Sequence, residues 1–242
     1  MVRARVGAKH SGCETLEIVG VAGAGKSTLA RTINERFPAV EIADTLHTKA
    51  LAHWPYVARG IPRAVPLLAK SAALRPAFDW EETKFIVYIA EWPQYLARSG
   101  AHASGLVVLD QGPVFALARL LWSGKRVTES RRFRAWMDEM IRAWSLVLDG
   151  IVHLVAPDEV LLERINERGQ SHEAKGRPTG ESLDILLSHE AAYAELFTRF
   201  AQLGRPPIYS FDTSALSPAE IAEELAALRA ARASMRPEKV RR

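Results

Sequence analysis

The stretch Gly20-Val21-Ala22-Gly23-Ala24-Gly25-Lys26-Ser27, followed by Thr28, decides how this chain is read. It has the spacing G-x-x-x-x-G-K-[ST], lies directly after the apolar run 16–19, and opens a helical pattern. Glycine at these positions lets the backbone curl until successive N–H groups converge on an anion, a path that a Cβ atom would obstruct. A helix beginning near Ser27 adds its positive dipole end to that cradle. Residues 20–28 are therefore expected to grip the polyphosphate of ATP, with Lys26 on the β- and γ-phosphates and Ser27 as a Mg2+ ligand.

Working outward, short apolar runs alternate with longer helical patterns. Runs 16–19, 40–43, 106–109, 151–155 and 208–211 read as strands buried on both faces. Helical patterns lie at about 128–148, 158–168 and 181–203. Two helix starts are marked by side-chain acceptors. Asp79 with Glu82 opens a helix running to about residue 100, and Ser217-Pro218 with Glu220 opens the last one. This alternation predicts an α/β fold. Residues 14–228 read as one domain, flanked by a flexible basic segment 1–13 and a basic tail 229–242.

Composition agrees with a globular chain of this length: of 242 residues, 48% are hydrophobic and 25% charged. A single cysteine, Cys13, cannot form an internal disulfide, which fits a reducing cytoplasm. The most apolar region, 106–122, is interrupted by Asp110, Gln111 and Arg119, so it falls short of the roughly 18–20 apolar residues that span a bilayer. Basic residues at the two ends more than account for the net charge of +4, which leaves the body acidic. Nucleic acid is therefore not the expected partner.

A phosphate loop needs a second acidic group, and the strand 106–109 ends in Asp110. A carboxylate leaving a buried strand at its carboxyl end emerges where open α/β sheets bind ligands. Asp110 is the expected partner of Ser27 on Mg2+, and Gln111 is placed to reach an acceptor. The segment 45–78 holds Arg59 and Arg63 among Trp54 and Tyr56 and carries no acid, a combination suited to an anionic ring compound. Glu91-Trp92-Pro93 forms a further polar and aromatic cluster.

Taken together, the phosphate loop, the strand ending at Asp110, the strand-proline-helix segment 152–165 and the late strand closing with Asp212 resemble the P-loop nucleoside and nucleotide kinases, in particular thymidylate kinase and the deoxynucleoside kinases. The resemblance implies a three-layer P-loop NTPase fold with a five-stranded parallel sheet in the order 2-3-1-4-5, plus helical acceptor and lid insertions. It also implies that Arg164 and Arg168, with Lys175 and Arg177 nearby, belong to a lid that closes over the transferred phosphoryl group. Asp44, after the second strand, takes the place of the carboxylate that accepts the acceptor's proton. Arg59, Arg63, Glu91 and Gln111 fall on the acceptor side, and a homodimer is compatible with the family. The implied activity is phosphoryl transfer from Mg-ATP to a small molecule, most naturally a nucleoside or nucleotide. An antibiotic or other hydroxylated metabolite stays open as acceptor, as does an ATPase or switch acting on a protein. The seven histidines show no paired spacing of a zinc site, and no G-x-S-x-G elbow occurs.

Overall fold

Five apolar runs become five parallel strands, and the segments between them cross over as helices, as parallel pairing requires. A computed structural model describes residues 13–37, 40–43, 58, 80–99, 105–123, 126–169 and 172–234. In chain order these form β1 (Cys13–Val19), α1 (Lys26–Arg36), β2 (Val40–Ala43), α2 (Trp80–Ser99), β3 (Gly105–Asp110), α3 (Pro113–Trp122), a 3-10 turn (Arg126–Glu129), α4 (Arg131–Ser145), β4 (Gly150–Val155), α5 (Asp158–Glu167), α6 (Thr179–Gln202), β5 (Ile208–Asp212) and α7 (Pro218–Ser234). The sheet order is β2-β3-β1-β4-β5, as the resemblance implied. Registers pair Ile18 with Asp110 and Val19 with His153, so the ends of β3 and β4 flank the loop that leaves β1.

Ile18, Val108 and Val152 lie at the centre of the core with no exposed surface. Helix α1 packs with α7, while α3 packs with both α2 and α6. His153 sits on β4 against Phe197, edge to face at 4.8 Å, and burial pushes its imidazole down to about 4. It is a packed histidine of the strand. No helix among the described residues is long and apolar enough to cross a membrane.

Helix α7 starts on the expected capping box: Ser217 Oγ accepts from Glu220 N at 3.3 Å, and Glu220 Oε2 accepts from Ser217 N at 2.8 Å. The boundary expected at 228 falls inside this helix. Arg229 donates to Glu14 at 2.5 Å, and Arg232 bonds the carbonyl of Asp149, so both cations brace the helix against the starts of β1 and β4. Residues 1–12 and 235–242 lie outside the described residues.

The run 113–122, read from sequence only as apolar, is a helix with Pro113 at its first position. In α2, Pro93 sits inside the helix and has no N–H to give to the carbonyl of Ile89, four residues earlier. Trp144 of α4 fills that gap: its fully buried indole N–H donates to Ile89 O at 3.0 Å. Trp144→Phe should therefore cost about 1–3 kcal/mol by stranding a buried carbonyl. Adding Pro93→Ala, which restores a helical N–H at that turn, should recover most of the loss. Chemical denaturation of the single and double variants checks this, and equal stability of W144F and wild type would refute it.

Candidate phosphate-binding and transfer site

Helix α1 begins at Lys26 because Gly25, in the left-handed region, ends the curl of the loop. Two glycines hold that loop against its neighbours. At Gly20, with φ 148°, an added Cβ would sit 2.4 Å from the carbonyl oxygen of Leu154 on β4. At Gly23, with φ 86°, it would meet the carbonyl of Leu161 on α5 at 2.7 Å. The cradle is thus pressed against β4 and α5 by main chain alone. Lys26 folds back over the loop, its Nζ donating to Gly20 O at 2.7 Å and Val21 O at 2.9 Å. Burial pulls its ammonium down to about 8, with Arg168 adding repulsion and Asp110 opposing both.

Ser27 and Asp110 meet as their positions in the sequence suggested. Ser27 Oγ donates to Asp110 Oδ2 at 2.9 Å. The second carboxylate oxygen of Asp110 is buried and has no hydrogen-bond partner among the described residues. A hydroxyl beside a carboxylate with an unused oxygen suits a hard divalent cation such as Mg2+. After Asp110, Gln111 adopts a left-handed conformation with φ 68°, uncommon for a residue with a side chain. This elbow turns the chain from β3 directly into α3 and exposes Gln111 to the site.

A cavity of about 650 Å3 opens beside the loop, bordered by Lys26, Ser27, Gln111 and Arg168. Its far wall comes from residues that the sequence reading did not assign. Phe115, Arg119 and Trp122 of α3 lie at i, i+4 and i+7, and that spacing, once the helix is known, is the signal that puts all three on one face. Glu82 of α2 completes that wall. Arg119 stands over the ring of Phe85, 5.9 Å from its centroid. A second cavity of about 400 Å3 lies on the other side of the loop, bordered by Gly23, Thr28, Arg164, Arg168 and Thr213.

The expected lid arginines part company here. Arg164 lies in the second cavity, donating to Thr213 Oγ1 and Thr213 O, each at 2.9 Å, and reaching Gly23 O at 3.3 Å. It bonds the phosphate loop to the end of β5. Arg168 borders both cavities. Lys175 bonds the carbonyl of Arg168, and Arg177 donates to Glu173 O at 2.5 Å and to Glu181 of α6 at 3.3 Å, so these cations tie residues 172–178 to the end of α5 and to α6. Glu91 is buried in α2 at 1% exposure and does not border either cavity. Asp44, Arg59 and Arg63 lie outside the described residues.

The histidines are less scattered than their spacing suggested. His172, Glu173 and His189 meet at the rim of the larger cavity, with one ligand atom from each lying within 4.8 Å of the others. His189, 3% exposed, stacks on Trp122 at 3.9 Å and pairs with Glu173 at 2.9 Å. Burial lowers it to about 4, so the pair is a neutral imidazole donating to a carboxylate. His172 is also lowered, by burial first and then by Lys26 and Arg168.

No protein-family model matches this chain, and no curated protein resembles it in sequence. Its fold, however, is shared with solved structures. A deoxyadenosine kinase from M. mycoides with bound dATP superposes with a TM-score of 0.54 at 14% identity, over 88% of this chain and 98% of that one. Thymidylate kinase from Candida albicans gives a TM-score of 0.54 at 13% identity, over 91% of this chain and 92% of that one. The chain therefore has the fold of these P-loop nucleoside and nucleotide kinases.

Glu17 organises the site from beneath. It is an acid within the apolar run of β1, and it has no exposed surface. Its two carboxylate oxygens accept from Val114 N at 2.9 Å and Phe115 N at 2.8 Å, capping α3 from a neighbouring strand. Gly112 lies so close that an added Cβ would be 2.7 Å from the carboxylate carbon. Burial raises Glu17 to about 8, against the lowering effect of the two amides. Glu17→Ala should cost about 2–4 kcal/mol by leaving two helix-end amides without acceptors. The elbow holding Asp110 and Gln111 should loosen with it. Thermal unfolding checks the first effect and hydrogen exchange at Val114 and Phe115 the second; unaltered protection of both amides would sink the assignment.

Proposed function

We propose that this chain transfers the γ-phosphoryl group of Mg-ATP to a small hydroxylated acceptor, a nucleoside or nucleotide in the first instance. The observation that carries this reading is the joint placement of Lys26, Ser27 and Asp110 at one end of a glycine cradle, beside a cavity large enough for a second molecule. A pure nucleotide switch has no need of that larger cavity with its aromatic and cationic walls. The kinase titles of the two superposed structures support the same chemistry by analogy.

Ser27 and Asp110 would hold Mg2+, which when bound neutralises charge on the phosphate oxygens. Amides of residues 20–28 bind the polyphosphate, and Lys26 exchanges its two carbonyl partners for phosphate oxygens. Arg168, at the border of the two cavities, is the cation positioned to follow the phosphoryl group from one to the other. Phe115 and Trp122 offer flat faces to a ring, while Arg119 and Gln111 offer polar contacts to its substituents. Catalysis in such a site is placement and electrostatics.

The test is incubation with γ-labelled ATP, Mg2+ and a panel of nucleosides, nucleotides and other hydroxylated metabolites. Label should pass to one class of acceptor, and Lys26→Ala should lower that rate by at least about a hundredfold with the fold intact. Label recovered only as free phosphate under every condition would reject the transferase.

Nucleotide affinity should also depend on alkaline pH. Free Lys26, held near 8, is charged below that pH and loses its proton above it. A bound polyphosphate favours the charged form, so binding takes up a proton above pH 8. Kd should then rise about tenfold per pH unit from pH 8 upward, by proton linkage. Calorimetric titration between pH 7 and 9.5 checks this, and a flat profile would show that Lys26 does not meet the phosphates.

A further inference from the structure

We propose that His172, Glu173 and His189 form a binding site for a zinc-type divalent ion, separate from the Mg2+ position, that latches the segment 172–178 onto α6. Two imidazoles and one carboxylate are the donor set of three-ligand zinc sites that leave a fourth position open, and the open side here faces the larger cavity. Their mutual approach to within 4.8 Å compares with the roughly 3.3 Å between ligands that bonds of about 2.0–2.1 Å to a tetrahedral ion produce. Side-chain rotation alone covers that difference.

Chemistry separates this site from the one at Ser27 and Asp110. Nitrogen donors favour zinc-type ions, whereas a hydroxyl and a carboxylate favour magnesium. The trio is also set in rigid surroundings at one end. His189 is held by its stack on Trp122 and by burial, and Ala174, next to Glu173, is anchored by Ser182 Oγ at 2.8 Å. Loading the ion displaces the hydrogen bond between His189 and Glu173. It also displaces the bond that His172 Nδ1 accepts from Ala174 N at 3.1 Å, since ligation through either ring nitrogen needs that bond released. Lys26, Arg119 and Arg168 stand around the trio and oppose a cation, and Glu173 offsets part of their charge. The ion is therefore expected to be exchangeable.

The consequence is mechanical. His172 and Glu173 belong to that segment and His189 to α6, so an ion shared among them joins the two and restrains the segment. The test uses untagged full-length protein, stripped with EDTA and free of nucleotide, so that it reads independently of any phosphoryl transfer. Titration with Co2+ should produce visible d–d bands of a low-coordinate centre, saturating at one equivalent, displaced by Zn2+ and indifferent to excess Mg2+. Glu173→Gln, at an exposed carboxylate, should weaken binding at least about tenfold without threatening the fold. The double variant H172A/H189A should abolish the bands, while Ser27→Ala should retain them. Zn2+ should also slow proteolysis within 172–178 in wild type and have no such effect in E173Q. Absence of saturable bands, or bands that persist undiminished in E173Q and in the double variant, would overturn the site. Binding without slower proteolysis would overturn the latch.

Discussion

A cradle made of backbone amides has no rotamers with which to correct its own position, so its geometry is imposed from outside. Here the imposition is steric. Gly20 lies against the carbonyl of Leu154 and Gly23 against that of Leu161, at distances that no side chain could share. The loop leaves the central strand of the sheet, between the ends of β3 and β4. One neighbour supplies Asp110, and the other supplies the wall at Leu154. Strand order thus places a carboxylate and a rigid backing on opposite sides of the same nine residues, at the crevice where the sheet's connections diverge.

Charge is arranged around that cradle in layers. Glu17, directly beneath, is devoted to the amide end of α3, and burial favours its neutral form. Lys26 rests on two loop carbonyls, which satisfy two of its three donors without a carboxylate bonded to it. Had a carboxylate paired with Lys26 directly, a phosphate would have had to displace it at greater cost. The nearby histidines are kept neutral by burial and by the cations beside them. The positive charge of the larger cavity therefore comes from Lys26, Arg119 and Arg168, and the histidines add none to it.

Much of this was legible beforehand, and the reasons are physical. The five strands were visible because buried parallel strands are short unbroken apolar runs. The phosphate loop was visible because few residue types can follow its path, and the capping box of α7 because its chemistry is local. Helix α3 was hidden for the opposite reason: a short, mostly apolar run with Arg119 as its one charge reads equally well as strand or buried helix. Phe115, Arg119 and Trp122 went unassigned with it. Glu17 left a trace as an acid inside an apolar strand, but its partners are about a hundred residues away. His172 and His189 likewise meet only through the fold, one on a loop and one on a helix. For Arg164 the sequence named the segment but not its partners Thr213 and Gly23, because helical phase near a terminus does not tell which cavity a long side chain enters.

The described residues 172–178 lie between α5 and α6 and are tied to both. Lys175 bonds the carbonyl of Arg168, and Arg177 bonds that of Glu173 and pairs with Glu181 of α6 at 3.3 Å. Gly176 adopts a left-handed conformation and donates to Asn166 Oδ1 at 3.2 Å, which ties the turn back to α5. Attachment to α6 comes through Arg177 with Glu181, through Ser182 with the carbonyl of Ala174 and through Glu173 with His189. Arg168 stands at the root of this segment and borders both cavities. The position of this segment is therefore linked, through the bond of Lys175 to the carbonyl of Arg168, to a cation that both cavities share.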